Sequence, residues 1–383
     1  MTTRTIQKEP IEFDPQVMKD IKKLGAFDVS ACYNCGTCTV SCPLSVSGNE
    51  FPRKLVRYAV LGMKKKLLTS TEPWLCYYCG DCSQTCPSQA EPAEFMMATR
   101  RYLTTKYDWT GLSKKLYTSL KWEILATAVV ALMMLSLFVI GAMLNVSTMV
   151  GDRVSINTFA PLNIVHLADL GVFAVLSILL LSNAFRMYYY VIIADKSVKV
   201  PFKLYFTEIK TAMLFVFHLV TQWRWKSCNH KRDWLKHLFL MSGYATMFLL
   251  IFGVLEWFQQ DGPTWHWTAL IGYYATFALF YVTINAMWNR YRKKGEMHRF
   301  SHKTDWLFLI LLFFTTLTGI LLHILRLLGI PYPSYYMYII HIMVVGPMLI
   351  LEVPFAKWSH MFYRPFAIYL TLIKEKAMSI EKT

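Results

Sequence analysis

The 383-residue sequence predicts an all-α membrane protein in two parts, a polar helical domain over residues 1–110 and a six-helix transmembrane bundle over residues 111–383. Three observations carry this prediction. Eight of the nine cysteines lie in two copies of one short motif before residue 90. Six long apolar runs follow, and the basic residues are concentrated in alternate loops between them.

The two cysteine motifs have the same spacing. Cys32, Cys35, Cys38 and Cys42 precede Pro43, and Cys76, Cys79, Cys82 and Cys86 precede Pro87. Both read C-x₂-C-x₂-C-x₃-C-P, the spacing by which bacterial ferredoxins hold [4Fe–4S] clusters, with the fourth cysteine serving the other cluster. We therefore expect one cluster on Cys32, Cys35, Cys38 and Cys86, and the second on Cys76, Cys79, Cys82 and Cys42. Such a domain transfers single electrons.

Two other uses of these cysteines fit the pattern less well. Zinc takes four ligands per site and does not require two runs of four cysteines that each end in proline. A disulfide framework is typical of secreted chains, and we expect no secretory signal here. The ninth cysteine, Cys228, has no second thiol near it in the sequence and is expected to be an unligated small residue.

The second part of the chain explains an unusual composition. The sequence is 55% hydrophobic and has a mean hydropathy of +0.34, yet its formal net charge is +16. A bilayer core about 30 Å thick requires roughly 20 apolar residues per helix. The runs that meet this length are 122–144, 164–193, 235–257, 266–288, 306–328 and 335–357.

The loops predict the orientation of the bundle. Segment 195–236 holds nine Lys and Arg residues and segment 289–304 holds six, whereas 145–163 holds only Arg153. Segments 258–265 and 329–334 hold none. Positive loops remain in the cytoplasm, so the cysteine domain and both termini are expected on the cytoplasmic side of the inner membrane. The positive charge thus reflects topology and attraction to anionic lipid, and does not favour binding of nucleic acid.

The stretch between the motifs, residues 51–68, predicts one amphipathic helix, because its apolar residues recur at helical spacing. Basic residues lie among them. One interpretation is a solvated face, and the other is a docking surface for an acidic redox partner. The basic residues in question are Arg53, Lys54, Arg57 and Lys64, Lys65 and Lys66.

Short strings resemble a known family. Pro52-Arg53-Lys54, Leu61-Gly62-Met63 and Trp74-Leu75-Cys76, within residues 28–100, resemble the small iron–sulfur subunit of heterodisulfide reductases. The membrane half, chiefly its last fifty residues, resembles the haem b subunit of respiratory nitrate reductase. A chain that joins both halves resembles the membrane subunit of quinone-interacting membrane-bound oxidoreductase complexes.

The resemblance implies a function and a set of partners. It implies a subunit of a quinol:acceptor oxidoreductase, an enzyme complex that takes electrons from menaquinol through b haems. The electrons would then pass through two [4Fe–4S] clusters to cytoplasmic flavin- and iron–sulfur-containing subunits. In this family the electrons are destined for adenylylsulfate reductase in sulfate respiration.

Histidines inside the apolar runs are the candidate haem ligands. A six-coordinate b haem needs two imidazoles from facing helices at one membrane depth, and ionisable residues inside a membrane are functional candidates by default. His237 matches His360 at the cytoplasmic side, and His323 matches His341 near the outer side. His166 is the alternative outer partner of His341. The 19 residues from His341 to His360 span about 28 Å as a helix and exceed the family spacing by one residue.

Glu352 is the candidate for proton exchange with a quinone, since it lies between His341 and His360 in the last run. The alternative is a neutral carboxyl group hydrogen-bonded between helices. Two other functions stay open. The complex could run in reverse as a menaquinone reductase of the heterodisulfide-reductase type, or the bundle could be a haem-free anchor. The sequence decides neither the direction of electron flow nor the membrane face that binds quinone.

Overall fold

A computed structural model describes residues 12–26, 29–45, 51–142, 147–223, 231–261 and 265–382. Cys228 lies outside these ranges. The described chain is 75% helical. In the cysteine-rich part the helices α1 to α7 are Gln16–Lys23, Thr37–Val40, Arg53–Val60, Lys64–Leu68, Glu72–Leu75, Asp81–Gln84 and Pro92–Tyr107, with a 3₁₀ turn at Val29–Ala31.

The rest of the described chain is also almost entirely helical. The helices α8 to α21 are Leu112–Thr118, Leu120–Ala142, Ile156–Phe159, Leu162–Tyr188, Leu204–Thr207, Ile209–Thr221, Lys231–Phe248, Leu255–Phe258, Ala269–Tyr291, Glu296–Arg299, Thr304–Leu327, Pro331–Pro347, Val353–Phe355 and His360–Lys382. One short β-hairpin is an exception to the predicted all-α class. Its two-residue strands, β1 at Met149–Val150 and β2 at Arg153–Val154, pair antiparallel and lie between the first two spans.

Among the residues that the structure describes, six helices are long and apolar enough to cross a membrane, as the sequence predicted. They are Leu120–Ile140, Leu162–Ile193, Lys231–Phe252, Ala269–Tyr291, Thr304–Leu327 and Pro331–Phe355. Large apolar side chains on them are exposed, among them Leu167 at 72% and Ile178 at 67%. Such exposure is expected of helices that face lipid. The chain thus fits a multi-pass membrane protein.

The chain divides into two compact units. The first combines Met1–Leu103 with Met187–Thr211 and Ala367–Thr383, so it contains segments from both ends of the chain and from its middle. Within this unit Ile373 and Ala377 of α21 pack against Val198 and Leu204. The predicted boundary at residue 110 does not provide for the two later segments, Met187–Thr211 and Ala367–Thr383, in the first unit.

The second unit, Thr104–Arg186 and Ala212–Phe366, contains the bundle. Its spans do not pack in chain order: α9 packs against α19, α19 against α18, α18 against α16, and α16 against α14. Small residues allow two of the spans to approach each other closely. A Cβ atom on Gly243 of α14 would lie 3.0 Å from the Cβ of Ala278 on α16. Close backbone approach at small residues is typical of helix pairs in membranes.

The structure corrects the single helix predicted over residues 51–68. The segment forms two helices, α3 and α4, which are separated at Gly62. Gly62 has a φ of +62°, and a Cβ atom there would lie 2.8 Å from the Asp14 carbonyl oxygen. The Asp14 amide also donates to the Gly62 carbonyl at 2.9 Å. Positive φ and close backbone contact both require glycine here, so the helix ends.

The last predicted run forms one span, Pro331–Phe355, which contains a π-helical segment. After α19 a π-helical segment, Met348–Glu352, leads into the short α20, and the chain turns at Ala356 before a 3₁₀ turn and α21. The Lys357 amide, just after the turn, donates to Glu352 Oε2 at 3.1 Å.

Candidate metal centres

The two cysteine motifs fold into loops with the same backbone conformation. Asn34 and Tyr78, each two residues after the first cysteine, have φ values of +56° and +60°. Gly36 and Gly80, two residues further on, have φ values of +91° and +92° and precede the short helices α2 and α6. The loops turn tightly so that three thiols of each motif are directed into one cavity.

Each cavity is completed by the fourth cysteine of the other motif. One cavity is lined by Cys32, Cys35, Cys38 and Cys86, together with apolar side chains such as Val29 and Val56. The second is lined by Cys42, Cys76, Cys79 and Cys82, with Leu44, Phe51 and Met96. The structure therefore assembles the two crossed sets of four cysteines that the sequence predicted. Four thiols in a largely apolar cavity fit the ligand requirement of a [4Fe–4S] cluster.

The thiols in each set influence one another. Burial raises the pKa of Cys42 to about 11, and the nearby Cys76 and Cys79 add to the shift. Burial also raises the pKa of Cys38, with further contributions from Cys32 and Cys86. Thiols gathered in this way are hard to ionise unless a metal compensates their charge, since thiolates are the ligating form.

The two cavities differ in exposure. Cys76 and Cys82 of the second cavity are buried, whereas Cys35 of the first is exposed. The Thr37 hydroxyl lies 3.3 Å from Cys35 Sγ, and hydrogen bonding to Thr37 lowers the pKa of that thiol. Backbone amides also point at sulfur: Asn34 N lies 3.4 Å from Cys32 Sγ, and Tyr78 N lies 3.3 Å from Cys76 Sγ. Such bonds stabilise thiolate charge and tune cluster potentials.

The basic residues beside the motifs divide into two groups. Arg53 donates to Asn34 at 2.9 Å, and Lys54 and Lys64 form ion pairs with Glu72 and Asp14 at 2.9 and 3.0 Å. These three side chains are thus engaged in holding the domain together. The members of the predicted docking surface that are exposed are Arg57, Lys65 and Lys66.

His237 and His360 are brought together in the second unit. Their ring centres lie 6.3 Å apart and their planes differ by 65°. A bis-histidine haem would need two imidazoles close together on facing helices. His360 Nδ1 is hydrogen-bonded to the Lys357 carbonyl, and hydrogen bonds of this kind commonly orient ligating histidines. That this pair holds a haem stays a prediction.

His323 and His341, the predicted outer pair, have different neighbours. His323 Nε2 lies 2.7 Å from the Tyr273 hydroxyl, and His341 Nδ1 lies 2.9 Å from the Thr318 hydroxyl. A Cβ atom on Gly319 would approach His341 Cε1 to 3.2 Å, so glycine allows this ring to pack on α18. The pairing of His323 with His341 stays a prediction, as does the alternative with His166.

Glu352 is 2% exposed and lies in the π-helical segment. Its bond to the Lys357 amide has a structural role, because it holds the chain at the turn after α20. Sequence reasoning missed a second buried carboxyl group, that of Glu123 in the first turn of α9, which is 3% exposed. The signal that could have found it is the rule applied to the histidines, since an ionisable residue inside an apolar span is itself a candidate.

The cavities and the bundle define a class of protein, in which a two-cluster iron–sulfur domain is joined to membrane-spanning helices. Residues 28–90 match the family described as 4Fe-4S dicluster domain. The chain is 36% identical over 102 residues to a heterodisulfide reductase C-subunit-like protein of Archaeoglobus profundus, and the match covers 26% of this chain and 54% of that protein.

A second relative gives the same indication. The C subunit of the H(2):CoB-CoM heterodisulfide,ferredoxin reductase of Methanothermobacter thermautotrophicus is 34% identical over 65 residues, which is 16% of this chain and 34% of that protein. The chain thus spans about half the length or less of these relatives. No solved structure matches the chain. The similarity establishes a 4Fe–4S dicluster domain related to the C subunit of heterodisulfide reductase.

Proposed function

We propose that this chain is the membrane electron-transfer subunit of a quinol:acceptor oxidoreductase. In this proposal it oxidises menaquinol and delivers single electrons to flavin- and iron–sulfur-containing subunits, in the direction of adenylylsulfate reductase in sulfate respiration. The observation that carries the proposal is the presence, in one chain, of two crossed four-cysteine cavities and a paired His237 and His360 at 6.3 Å.

The chain's own residues have defined parts in this proposal. The two sets of four thiolates would hold [4Fe–4S] clusters, and His237 and His360 would hold one b haem. A second haem would be held by His341 with His323, or with His166 as the alternative partner. These groups supply one-electron redox chemistry when bound. The exposed Cys35 places the first cavity where a partner subunit can approach, and Arg57, Lys65 and Lys66 offer positive charge to an acidic partner.

The basic loops support a location in the inner membrane with both termini cytoplasmic. The loop 195–236 connects the second and third spans, and the loop 289–304 connects the fourth and fifth spans. Both loops therefore lie at the same end of the bundle, which we call the basic end. Under the positive-inside rule this end faces the cytoplasm. Insertion of a reporter at Gly151, in the hairpin, and at Gly295, in a basic loop, tests the orientation.

The proposal is tested by the order of reduction. A menaquinol analogue mixed with the oxidised complex in a stopped-flow spectrometer should reduce b-type haem bands first and bleach the iron–sulfur absorption afterwards. The iron and acid-labile sulfide contents should correspond to two clusters, and a pyridine haemochrome assay should detect haem b. A purified chain without haem would support the haem-free anchor instead.

The relatives favour one alternative in particular. Both relatives are named after heterodisulfide reductase, and the name of the second also includes ferredoxin reductase. A related complex that reduces menaquinone with electrons from a flavoprotein is therefore the second candidate. Haem bands that remain oxidised with menaquinol, but are reduced promptly from the flavoprotein side, would favour this direction.

A further inference from the structure

The helix α13, which lies within the loop 195–236 at the basic end, has an inverted distribution of side chains. With 13 residues it is too short to cross a bilayer core, which requires roughly 20. The side chains that it exposes are mostly apolar, and they include Met213, Val216 and Val220. Its inward face is polar instead, since His218 is 6% exposed and Gln222, which follows the helix, is 1% exposed. This pattern is expected of a helix that lies in lipid against protein.

The inward face of α13 packs against the first turns of α21. Phe215 contacts Phe362 with ring centres 6.3 Å apart. One turn or so further along both helices, Arg364 Nη1 donates to Gln222 Oε1 at 3.3 Å. Both of these polar side chains are buried. The two helices therefore enclose a polar pair at a membrane-facing surface.

The end of α13 lies beside His237 and His360. Arg364 follows His360 by four residues on α21, so the two side chains share one face of the helix, with Cβ atoms about 6 Å apart. On the other side, Trp234, three residues before His237 on α14, donates its indole N–H to the Thr221 carbonyl at 2.9 Å. The last residues of α13 thus contact the helical turns next to both histidines.

The side-chain amide of Gln222 has a donor that is not used within the described residues. A guanidinium group only donates, so the contact with Arg364 assigns Oε1 to that side and leaves Nε2 as the donor. Nε2 is buried and has no hydrogen-bond partner in the described part of the chain. The Gln222 backbone has a φ of +49°, which residues other than glycine rarely adopt. A buried donor without a partner and a strained backbone are both typical of ligand sites.

We propose that the Gln222 amide donates to an oxygen atom of a quinone headgroup, which binds between α13 and α21 at the basic end. This inference rests on the proposed quinol oxidation and specifies the membrane face that binds the quinone. A neutral amide fits both the carbonyl oxygen of the quinone and the hydroxyl oxygen of the quinol, since both accept hydrogen bonds.

The neighbouring residues have defined parts in this site. Arg364 is a positioning residue, because it holds the amide through Oε1. His218 lies one turn before Gln222 on the same inward face and lines the site. The exposed apolar side chains of α13 offer the isoprenoid tail a surface within the hydrocarbon region. The headgroup would then lie one helical turn from His360, next to the haem proposed there.

Binding of a quinone analogue tests the site without any turnover. Heptyl hydroxyquinoline N-oxide is fluorescent, and quenching of its fluorescence by the full chain measures its affinity. Gln222→Leu removes the donor at similar size and should weaken binding roughly tenfold, the order expected for loss of one buried hydrogen bond. Gln260→Leu is the matched control and should bind as the wild-type chain does. Its side chain is exposed at the opposite end of the bundle and bonds to the Glu256 carbonyl within its own turn.

A photoreactive azidoquinone tests the location. Crosslinks identified by mass spectrometry should fall on α13 or on the first turns of α21, and Gln222→Leu should reduce them. Haem and iron contents equal to those of the wild-type chain exclude misfolding of the variant. Crosslinks confined to the opposite end of the bundle, for example near Tyr273, would overturn the proposal.

The outcomes distinguish this site from the proposed function. If the wild-type chain binds the analogue and oxidises menaquinol, but Gln222→Leu binds equally tightly, the site is wrong and the proposed function stands. Equal binding together with a shifted haem potential, or with loss of bound anionic lipid, would assign the amide to a haem propionate or a phospholipid headgroup and would likewise overturn the site. If the wild-type chain neither binds the analogue nor oxidises menaquinol, the proposed function is wrong and the site with it.

Discussion

The hydroxyl groups of Ser41 and Thr85 lie 2.8 Å apart, although the residues are separated by 44 positions in the chain. Each immediately precedes the fourth cysteine of its motif, and each lies just after the corresponding helix, α2 or α6, which pack against each other. The contact thus joins equivalent positions of the two motifs. The next residues, Cys42 and Cys86, each line the cavity of the opposite motif, so the contact lies beside both exchanged cysteines.

The exchange predicts which cluster is lost on mutation. Cys86→Ser should damage the cluster of Cys32, Cys35 and Cys38, and should leave the one next to Cys76 intact. Cys42→Ser should have the opposite effect. Electron paramagnetic resonance of the reduced variants, together with iron analysis, measures which cluster remains. Loss of the cluster in its own motif, in either variant, would show that the fourth cysteine does not cross.

The proximity of His237 and His360 predicts that both hold the same haem. His237→Ala and His360→Ala should each remove one haem, and the double variant should remove no more than either alone. A pyridine haemochrome assay and redox titration count the haems. His266→Ala is the matched control, because that histidine bonds to Thr268 at the start of a span and should affect no haem. Additive loss in the double variant would contradict a shared haem.

The outer haem can be assigned in the same way. His341→Ala should remove a second haem and leave the His237 haem unchanged. His323→Ala is expected to remove that same haem if the predicted pair holds, although in this structure His323 is bonded to Tyr273. If His323→Ala keeps both haems while His166→Ala loses one, the outer ligands are His166 and His341.

Close packing of α14 on α16 predicts a position where added bulk destabilises the bundle. Gly243→Val should lower the stability by about 2 kcal/mol, as overpacking does, because Ala278 Cβ and the Ala275 carbonyl leave no space for a side chain. Gly171→Val is the matched control, since Gly171 also lies within a span but has no atom within 4 Å of an added Cβ. Thermal unfolding in detergent measures both. Equal losses would show that valine itself, and not the contact, is responsible.

The ion pair of Asp195 and Lys374 predicts a pH dependence of stability in the first unit. The two side chains meet at 2.6 Å. Burial opposes ionisation of Asp195, but hydrogen bonds from Lys374 and Ser197 outweigh it and lower the pKa of that carboxyl group. A lowered pKa in the folded state means that the stabilisation is complete above the ordinary aspartate pKa of about 4 and is lost as the pH falls through the folded value.

We therefore expect Asp195→Asn to cost about 1 kcal/mol at neutral pH, and the difference from the wild-type protein to disappear in acid. Unfolding measured across the pH range follows this difference. Asp152→Asn, at an exposed aspartate of the hairpin, should change the stability at neither pH. A cost for Asp195→Asn that persists in acid would indicate a packing effect instead.

The amino-acid sequence by itself determined the two cysteine motifs and the spans. The spacing of the eight cysteines identifies the two cluster-binding motifs, and hydropathy within windows of about 20 residues identifies the six spans. Both are local properties of the chain, so they can be read without knowing which segments meet. The depths of His237 and His360 are local in the same sense, and this is why their pairing could be expected.

Only the tertiary structure decided how the segments turn and which side chains meet. Depth does not fix the rotation of a helix about its axis, so the contacts of His323 with Tyr273 and of His341 with Thr318 could not be predicted. The end of α3 at Gly62 depends on the distant Asp14, and the packing of Gly243 on Ala278 joins two different spans. Such contacts arise from packing between remote segments, which no local window of the sequence contains.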